Sequence, residues 1–226
     1  MHQSAITNLG GREHLLVSLT GSGGSVADEA RRAMTDGLAL IEASGFSTAH
    51  LVRSRLFARD ANARRLASDV RVEMLKGALR SASSSYIDPS RLPGAANVSI
   101  DLVAVRALTH EQKVAREYEP AIAPPMFVAV GNMIYVSGCT DVSERFDAQI
   151  ANIRSYIARN LEAAGAGWDN VVGVSAHVSR KIDAGEAWLK LNALFPDLRG
   201  PLSMSPVDGY SGPEKLIEIE ATAKLG

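Results

Sequence analysis

The stretch Ile217-Glu218-Ile219-Glu220-Ala221-Thr222-Ala223 alternates apolar and polar side chains. Such alternation is typical of a β-strand that buries one face. The stretch Val98-Ser99-Ile100-Asp101-Leu102-Val103-Ala104 has a similar pattern 119 residues upstream. Each stretch follows a Leu-Arg pair, Leu79-Arg80 or Leu198-Arg199. The two pairs are also 119 residues apart, so the spacing from arginine to strand is equal in both halves. The sequence therefore predicts a tandem repeat.

Other features repeat in the same order along the chain. Glu42-Ala43-Ser44-Gly45 matches Glu162-Ala163-Ala164-Gly165 at a distance of 120 residues. Before each tetrapeptide, apolar residues recur at the spacing of a helix that buries one face. These stripes are Ala30, Met34, Leu38 and Ile41 in the first half, and Phe146, Ile150, Ile153, Ile157 and Leu161 in the second. The glycine that closes each tetrapeptide stands where a helix commonly ends.

A strand and a second helix are predicted after the first helix of each half. The stretch Val171–Val178 is rich in β-branched valines, which favour a strand, and Leu51–Ala58 stands at the equivalent place in the first half. In the second half, Asp183 followed by Glu186 is a signature of a helix start. Between each arginine and the last strand we expect an irregular stretch, which in the second half is a loop over Pro201–Lys215.

This order of elements predicts an α+β fold of two tandem modules, each a β-sheet with two helices packed on one face. We place the first module at residues 1–108 and the second at residues 121–226. The segment 109–120 is polar and charged, and we interpret it as a linker.

The composition bears on several classes of function. The 24 basic and 25 acidic residues give a net charge of −1, which lacks the excess of basic residues that favours nucleic acid or membrane partners. No apolar run is long enough to span a bilayer. The single cysteine, Cys139, favours a reducing, cytoplasmic location. The five histidines have no metal-ligand spacing, so we expect no metal and no cofactor.

The second half resembles the RidA/YjgF family of imine and enamine deaminases. The residues that carry the resemblance are Gly131–Gly138 (GNMIYVSG), Glu162–Gly165 (EAAG), Phe195-Pro196 shortly before Arg199, and Ile217–Ala221 (IEIEA). Together they span most of the second half. The first half resembles the family through spacing more than through identity.

The resemblance implies a chorismate-mutase-like fold that assembles as a homotrimer, with active sites in the clefts between neighbouring modules. Family members hydrolyse small carboxylated imines or enamines to 2-keto acids and ammonia without a cofactor. The predicted protein is therefore a hydrolase, and its predicted partner is a small carboxylated substrate.

The resemblance also assigns two catalytic residues. Arg199 would anchor the substrate carboxylate, since a guanidinium offers two parallel hydrogen bonds. Glu218 would position a water molecule and move protons, for which burial must raise its pKa. From the residues alone, a solvated surface position just past a helix is the favoured interpretation of Arg199. Glu218 and Glu220 are, on the same basis, equally well interpreted as a pair of exposed strand carboxylates.

Four further residues are candidates for substrate binding. Ser137 offers its hydroxyl, and Gly138 and Cys139 offer backbone N–H groups at the end of a strand. Arg80 is the first-module counterpart of Arg199. In the first module, however, Ser99 stands where Glu218 stands in the second, so we expect the second module to carry most of the chemistry.

Departures from the family pattern leave alternatives open. Arg199 is followed by Gly200 where the family has serine or threonine, and the segment before the last strand is longer than in a typical member. The tyrosine common near the start of the family module is absent from Ala123–Phe127. The alternatives are a different hydrolysis or tautomerisation in a specialised pathway, and a non-catalytic protein that binds a small acid.

Overall fold

The computed structural model describes residues 2–108, 110–196 and 198–226, so that the predicted boundary residues Met1 and Thr109 lie outside the described part. Its α-helices are α1 (Val26–Ala43), α2 (Ala61–Met74), α3 (Phe146–Ala163) and α4 (Ala184–Leu194). Its strands are β1 (His2–Leu9), β2 (Arg12–Thr20), β3 (Leu51–Ala58), β4 (Ala82–Ile87), β5 (Val98–Val105), β6 (Lys113–Arg116), β7 (Phe127–Val130), β8 (Met133–Val136), β9 (Cys139–Thr140), β10 (Val171–Ser179), β11 (Leu202–Val207) and β12 (Ile217–Lys224).

The first sheet has the strand order β1-β2-β5-β3-β4. All its neighbours are antiparallel except β3 and β4, which are parallel. Helix α1 begins at Ser25, whose hydroxyl accepts a hydrogen bond from the Asp28 backbone N–H, and Gly45 follows its end at a φ of +74°. The apolar stripe of α1, including Met34 and Ile41, packs with α2 on one face of this sheet.

The second sheet repeats this topology in the order β11-β10-β12-β8-β7-β6, and β9 pairs with β12. Strands β7 and β8 form the hairpin, β12 lies between β8 and β10, and β11 runs parallel to β10. Helices α3 and α4 bury Ile153, Ile157 and Leu191 against one face of the sheet. The α+β fold of two similar modules is therefore confirmed.

Two stretches that the sequence predicts to be irregular contain strands. β4 follows Arg80, and β11 lies within the predicted loop Pro201–Lys215. Both are edge strands of six residues that are rich in serine, so their apolar alternation extends over few residues. Their pairing with β3 and β10 decides their conformation.

The segment 109–120 is not a free linker throughout. Residues 113–116 form β6, which pairs antiparallel with β7 and extends the second sheet. A strand of four residues is too short to give a clear periodicity, which explains why its sequence resembles a loop.

The two sheets face each other with their helices outside. Val52 and Ala82 of the first module form an apolar cluster with Val128 and Tyr135 of the second. Arg53 of β3 also crosses the interface, because its guanidinium donates to backbone oxygens of β8 and β12 at 3.1 Å. Among the described residues, no helix is long and apolar enough to cross a membrane.

Candidate active site between the two modules

Glu218 and Glu220 lie on the same face of β12, as the alternation of the strand requires. That face is turned toward the first module, and only 5% of Glu218 and 1% of Glu220 are exposed. Two carboxyl groups thus lie buried in one interface. The alternative interpretation of Glu218 as an exposed strand carboxylate is wrong.

Glu220 is held as a carboxylate by groups of the first module. Arg55 donates to its Oε2 from Nε at 2.9 Å and from Nη2 at 2.7 Å. Arg53 lies 2.8 Å from the same oxygen, and the Ser84 hydroxyl donates to Oε1 at 2.5 Å. The two guanidinium groups outweigh the cost of burial and hold the pKa of Glu220 well below its usual range.

Glu218 has the opposite electrostatic environment. Burial, and then the neighbouring charge of Glu220, raise the pKa of Glu218 to about 8. Its carboxyl group is therefore mostly protonated at neutral pH and can donate a proton. Two glutamates in one strand are thus separated into a fixed charge and a candidate acid.

Glu218 faces a cleft of about 760 Å³ between the modules. One side is formed by α2 and β4 of the first module, and the other by the second module together with Tyr118 of the segment before it. The lining includes Arg64, Asp69, Arg71, Ser83, Ser84, Tyr118, Met126, Gly138, Cys139, Tyr156, Arg159, Asn160, Lys215 and Glu218. A cleft of this volume fits a small to medium-sized ligand.

Positive charge dominates this cleft. Its lining has four cationic side chains, and apart from Glu218 it has one carboxylate, Asp69, among the described residues. Arg71 is the most buried of the four cations, and its Nη1 donates to the Ser84 backbone oxygen. Burial lowers the pKa of Arg71 to about 10, so it stays charged at neutral pH. A buried guanidinium beside a protonated acid is suited to an anionic ligand.

The sequence analysis missed Arg71, although a signal was present. Ala63, Ala67 and Val70 form the buried stripe of α2, and Arg71 continues that stripe at helical spacing. A charged residue at a buried helical position requires a partner or a function.

The predicted pairing of Arg199 with Glu218 is not formed within the chain. Arg199 is exposed and does not line the cleft, because the face of the second sheet that holds Glu218 meets α2 and β4 of the other module. Arg80 belongs to the module that faces Glu218, but it also does not line the cleft. Its Nε and Nη2 donate to the Glu117 carboxylate, each at 2.8 Å.

Ser137 and Gly138 join the two modules. The Ser137 hydroxyl accepts from the Ser83 N–H, and the Gly138 N–H donates to the Ser83 oxygen, both at 3.2 Å. The predicted donor at Gly138 is therefore already used. Gly138 lines the cleft, and a Cβ atom there would overlap the Glu218 carboxyl group. Its role in the structure is to leave room for Glu218.

Cys139 also lines the cleft, but as a thiol. Burial, followed by the charges of the two glutamates, raises its pKa to about 12. We expect Cys139→Ala to change kcat by less than about tenfold, since a thiol that does not ionise is a poor nucleophile. A steady-state assay of the variant, with the substrate proposed below, measures this change. Loss of all turnover in Cys139→Ala would instead indicate a covalent mechanism.

Ser99 of the first module has a structural partner. Its hydroxyl donates to the Leu19 backbone oxygen at 3.0 Å, and it lies outside the cleft that holds Glu218.

The cleft also contains a phenol, Tyr118, whose oxygen accepts from Asn160 at 2.8 Å. A tyrosine from the segment before the module thus lines the cleft, although the family's tyrosine is absent from Ala123–Phe127.

No family model and no curated protein matches the chain. Among solved structures, a chorismatase matches 98% of this chain over 79% of its own, with a TM-score of 0.62 and 15% identity. A member of the YjgF/YER057c/UK114 family from Mycobacterium tuberculosis matches 50% of this chain over 100% of its own, with a TM-score of 0.46 and 25% identity. A protein of the conserved Rid family from Yersinia pestis matches 50% of this chain over 99% of its own, with a TM-score of 0.44 and 18% identity.

The chorismatase match extends over both modules and shows that their arrangement in one chain is a known fold. The two Rid-type proteins each span one half of the chain. The chain is therefore a two-module protein with the overall fold of a chorismatase.

Proposed function

We propose that the protein hydrolyses a carboxylated imine or enamine to the keto acid and ammonia, with Glu218 as the general acid. The observation that carries the proposal is the buried, protonated Glu218 facing a cleft lined by cations. A carboxyl group with a pKa near the working pH is well suited to proton transfer in both directions.

The reaction needs one acid and one water molecule. With an enamine, Glu218 donates its proton to the terminal carbon of the C=C bond, which leaves an iminium group. Water then adds to the iminium carbon and passes a proton to the Glu218 carboxylate. The resulting carbinolamine releases ammonia, so that one substrate and one water yield one keto acid and one ammonia.

The substrate carboxylate is assigned to Arg71. Its guanidinium lines the cleft, is buried, and donates to the Ser84 oxygen from one nitrogen, which leaves other N–H groups for a ligand. Arg64, Arg159 and Lys215 add positive charge around the same space.

The direct test is turnover of 2-iminopropionate, generated in the assay by an amino-acid oxidase. We expect pyruvate to form faster than by spontaneous hydrolysis at pH 7, in proportion to the enzyme concentration. No acceleration between pH 6 and pH 8, with folding checked by circular dichroism, would contradict the proposed function.

Hydrolysis of an enol ether is the second candidate. The cleft favours this candidate, because its volume of about 760 Å³ and its four cations fit a larger and more highly charged substrate than a three-carbon imino acid. The likeness to a chorismatase over 98% of the chain supports it as well. Protonation at carbon is the same step for an enol ether as for an enamine, and an alcohol leaves instead of ammonia. Release of pyruvate from chorismate without acceleration of imine hydrolysis would favour this candidate.

Neither reaction requires a metal ion in the steps proposed. We therefore expect kcat to stay within about twofold after dialysis against EDTA, because Glu218 and the cleft cations supply the acid and the charge. The assay compares dialysed enzyme with and without added Zn²⁺ or Mg²⁺. A reversible loss of activity would mean that the mechanism is incomplete.

We further propose that the chain forms a homotrimer in the cytoplasm. The edge strand β11, next to the exposed Arg199, has no strand paired along its outer side among the described residues, and could meet a neighbouring chain. Light scattering should then give three times the chain mass of 24.0 kDa. A monomer would exclude the trimer but not the Glu218 cleft, since both sides of that cleft belong to one chain.

A further inference from the structure

A second crevice lies between the modules, separate from the Glu218 cleft. Its volume is about 230 Å³, and it is lined by β1, β2, β3 and β5 of the first module and by β8, β10, β11 and β12 of the second. The crevice and the cleft have no lining residue in common. A ligand here would therefore be held by a different set of residues.

The buried charges of this crevice do not balance. Arg53 and Arg55 both bind the single carboxylate of Glu220, and all three residues line the crevice. Asp101 lies opposite Arg55 in the register of β3 and β5, but it is bound by Arg91 at 3.2 Å and does not line the crevice. Among the described residues that line the crevice, the guanidinium groups therefore exceed the carboxylates by one.

Arg55 presents that charge to the crevice. It uses Nε and Nη2 to bind Glu220, which leaves Nη1 for a ligand, and 19% of its side chain remains exposed. Arg53, in contrast, is 4% exposed and is held by backbone oxygens of the second module. A guanidinium fixed in this way offers a preorganised donor to one anionic group.

The other walls are neutral. His14 donates from Nδ1 to the Arg12 backbone oxygen at 2.9 Å, and its Nε2 accepts from the Tyr135 hydroxyl at 2.7 Å. Burial lowers the pKa of His14, which keeps the ring uncharged. Leu9, Leu16 and Val103 supply apolar surface.

We propose that this crevice is a binding site for a small organic monoanion, a carboxylate with a short apolar or aromatic body. The carboxylate takes the unmatched charge at Arg55, and the apolar body packs on Leu16 and Val103. The volume of about 230 Å³ limits the ligand to roughly the size of benzoate. The proposal does not depend on the reaction in the Glu218 cleft.

Isothermal titration with benzoate, and with benzamide as a neutral probe of the same shape, tests the site. Ser203→Phe fills the crevice from the exposed strand β11, whereas Ser205→Phe places the same side chain on the same face, two residues away and outside the lining. We expect benzoate to bind, benzamide to bind at least about tenfold more weakly, and Ser203→Phe but not Ser205→Phe to abolish the binding.

The variant Arg71→Met distinguishes benzoate bound in this crevice from benzoate bound in the Glu218 cleft. Benzoate binding in the crevice should survive this substitution, whereas a carboxylate bound in the cleft should be lost. If benzoate does not bind at millimolar concentration, or if Ser203→Phe leaves binding intact, the proposal is wrong.

Discussion

Replacement of Glu218 by glutamine is expected to lower kcat by about 10²–10⁴-fold, the usual contribution of a general acid. The glutamine amide keeps the size of the side chain but cannot donate a proton to substrate. Because the acid acts in its protonated form, kcat/KM of the wild-type protein should fall as the pH rises through about 8. A pH profile of both proteins with 2-iminopropionate measures this.

A matched control for this substitution is Glu162→Gln, an exposed position at the end of α3. It makes the same chemical change outside the cleft and should leave kcat and the alkaline limb unchanged. Full activity of Glu218→Gln would show that Glu218 is not the general acid of the reaction.

The same substitution should stabilise the protein at neutral pH. The pKa of Glu218 is raised from 4.5 to about 8 on folding, so the unfolded chain ionises first as the pH rises. Stability is therefore lost between about pH 4.5 and pH 8, at about 1.4 kcal/mol for each pH unit. At pH 7, Glu218→Gln should be more stable than wild type by about 3 kcal/mol, and the difference should vanish below pH 4.5, as urea unfolding at both pH values would show.

Replacement of Arg71 by methionine is expected to raise KM for a carboxylated substrate by about 10- to 100-fold. A hydrogen bond to a charged group contributes about 1.5–3 kcal/mol, and methionine keeps most of the volume without the charge. The effect on KM should exceed the effect on kcat, since the carboxylate is bound in the ground state as well as in the transition state.

Arg199→Met is the matched control, because it makes the same change at the arginine that the family resemblance assigns. Arg199 is exposed and outside the Glu218 cleft, so KM should change by less than about twofold. An equal loss in both variants, together with a trimeric mass, would mean that Arg199 completes a cleft formed with a neighbouring chain.

The repeat, the fold class and the placement of Glu218 and Glu220 on one face of the last strand could be predicted from the sequence alone. Helical and strand periodicities are local properties, so the stripe Phe146–Leu161 and the alternation Ile217–Ala223 define their elements without the rest of the chain. The edge strand β11 and the short strand β6 could not be predicted, because serine-rich or four-residue segments become strands only through their neighbours.

The partners of Glu218 depended on tertiary structure. The family resemblance assigned Glu218 and Arg199, both of the second module, to one site. The modules pack, however, so that β12 of the second module faces α2 and β4 of the first. The acid therefore shares its cleft with Arg71 rather than with Arg199. Its pKa is raised by burial and by Glu220, which Arg53 and Arg55 hold ionised. Periodicity determines which face of an element is buried, whereas only the packing of the two sheets decides what that face meets.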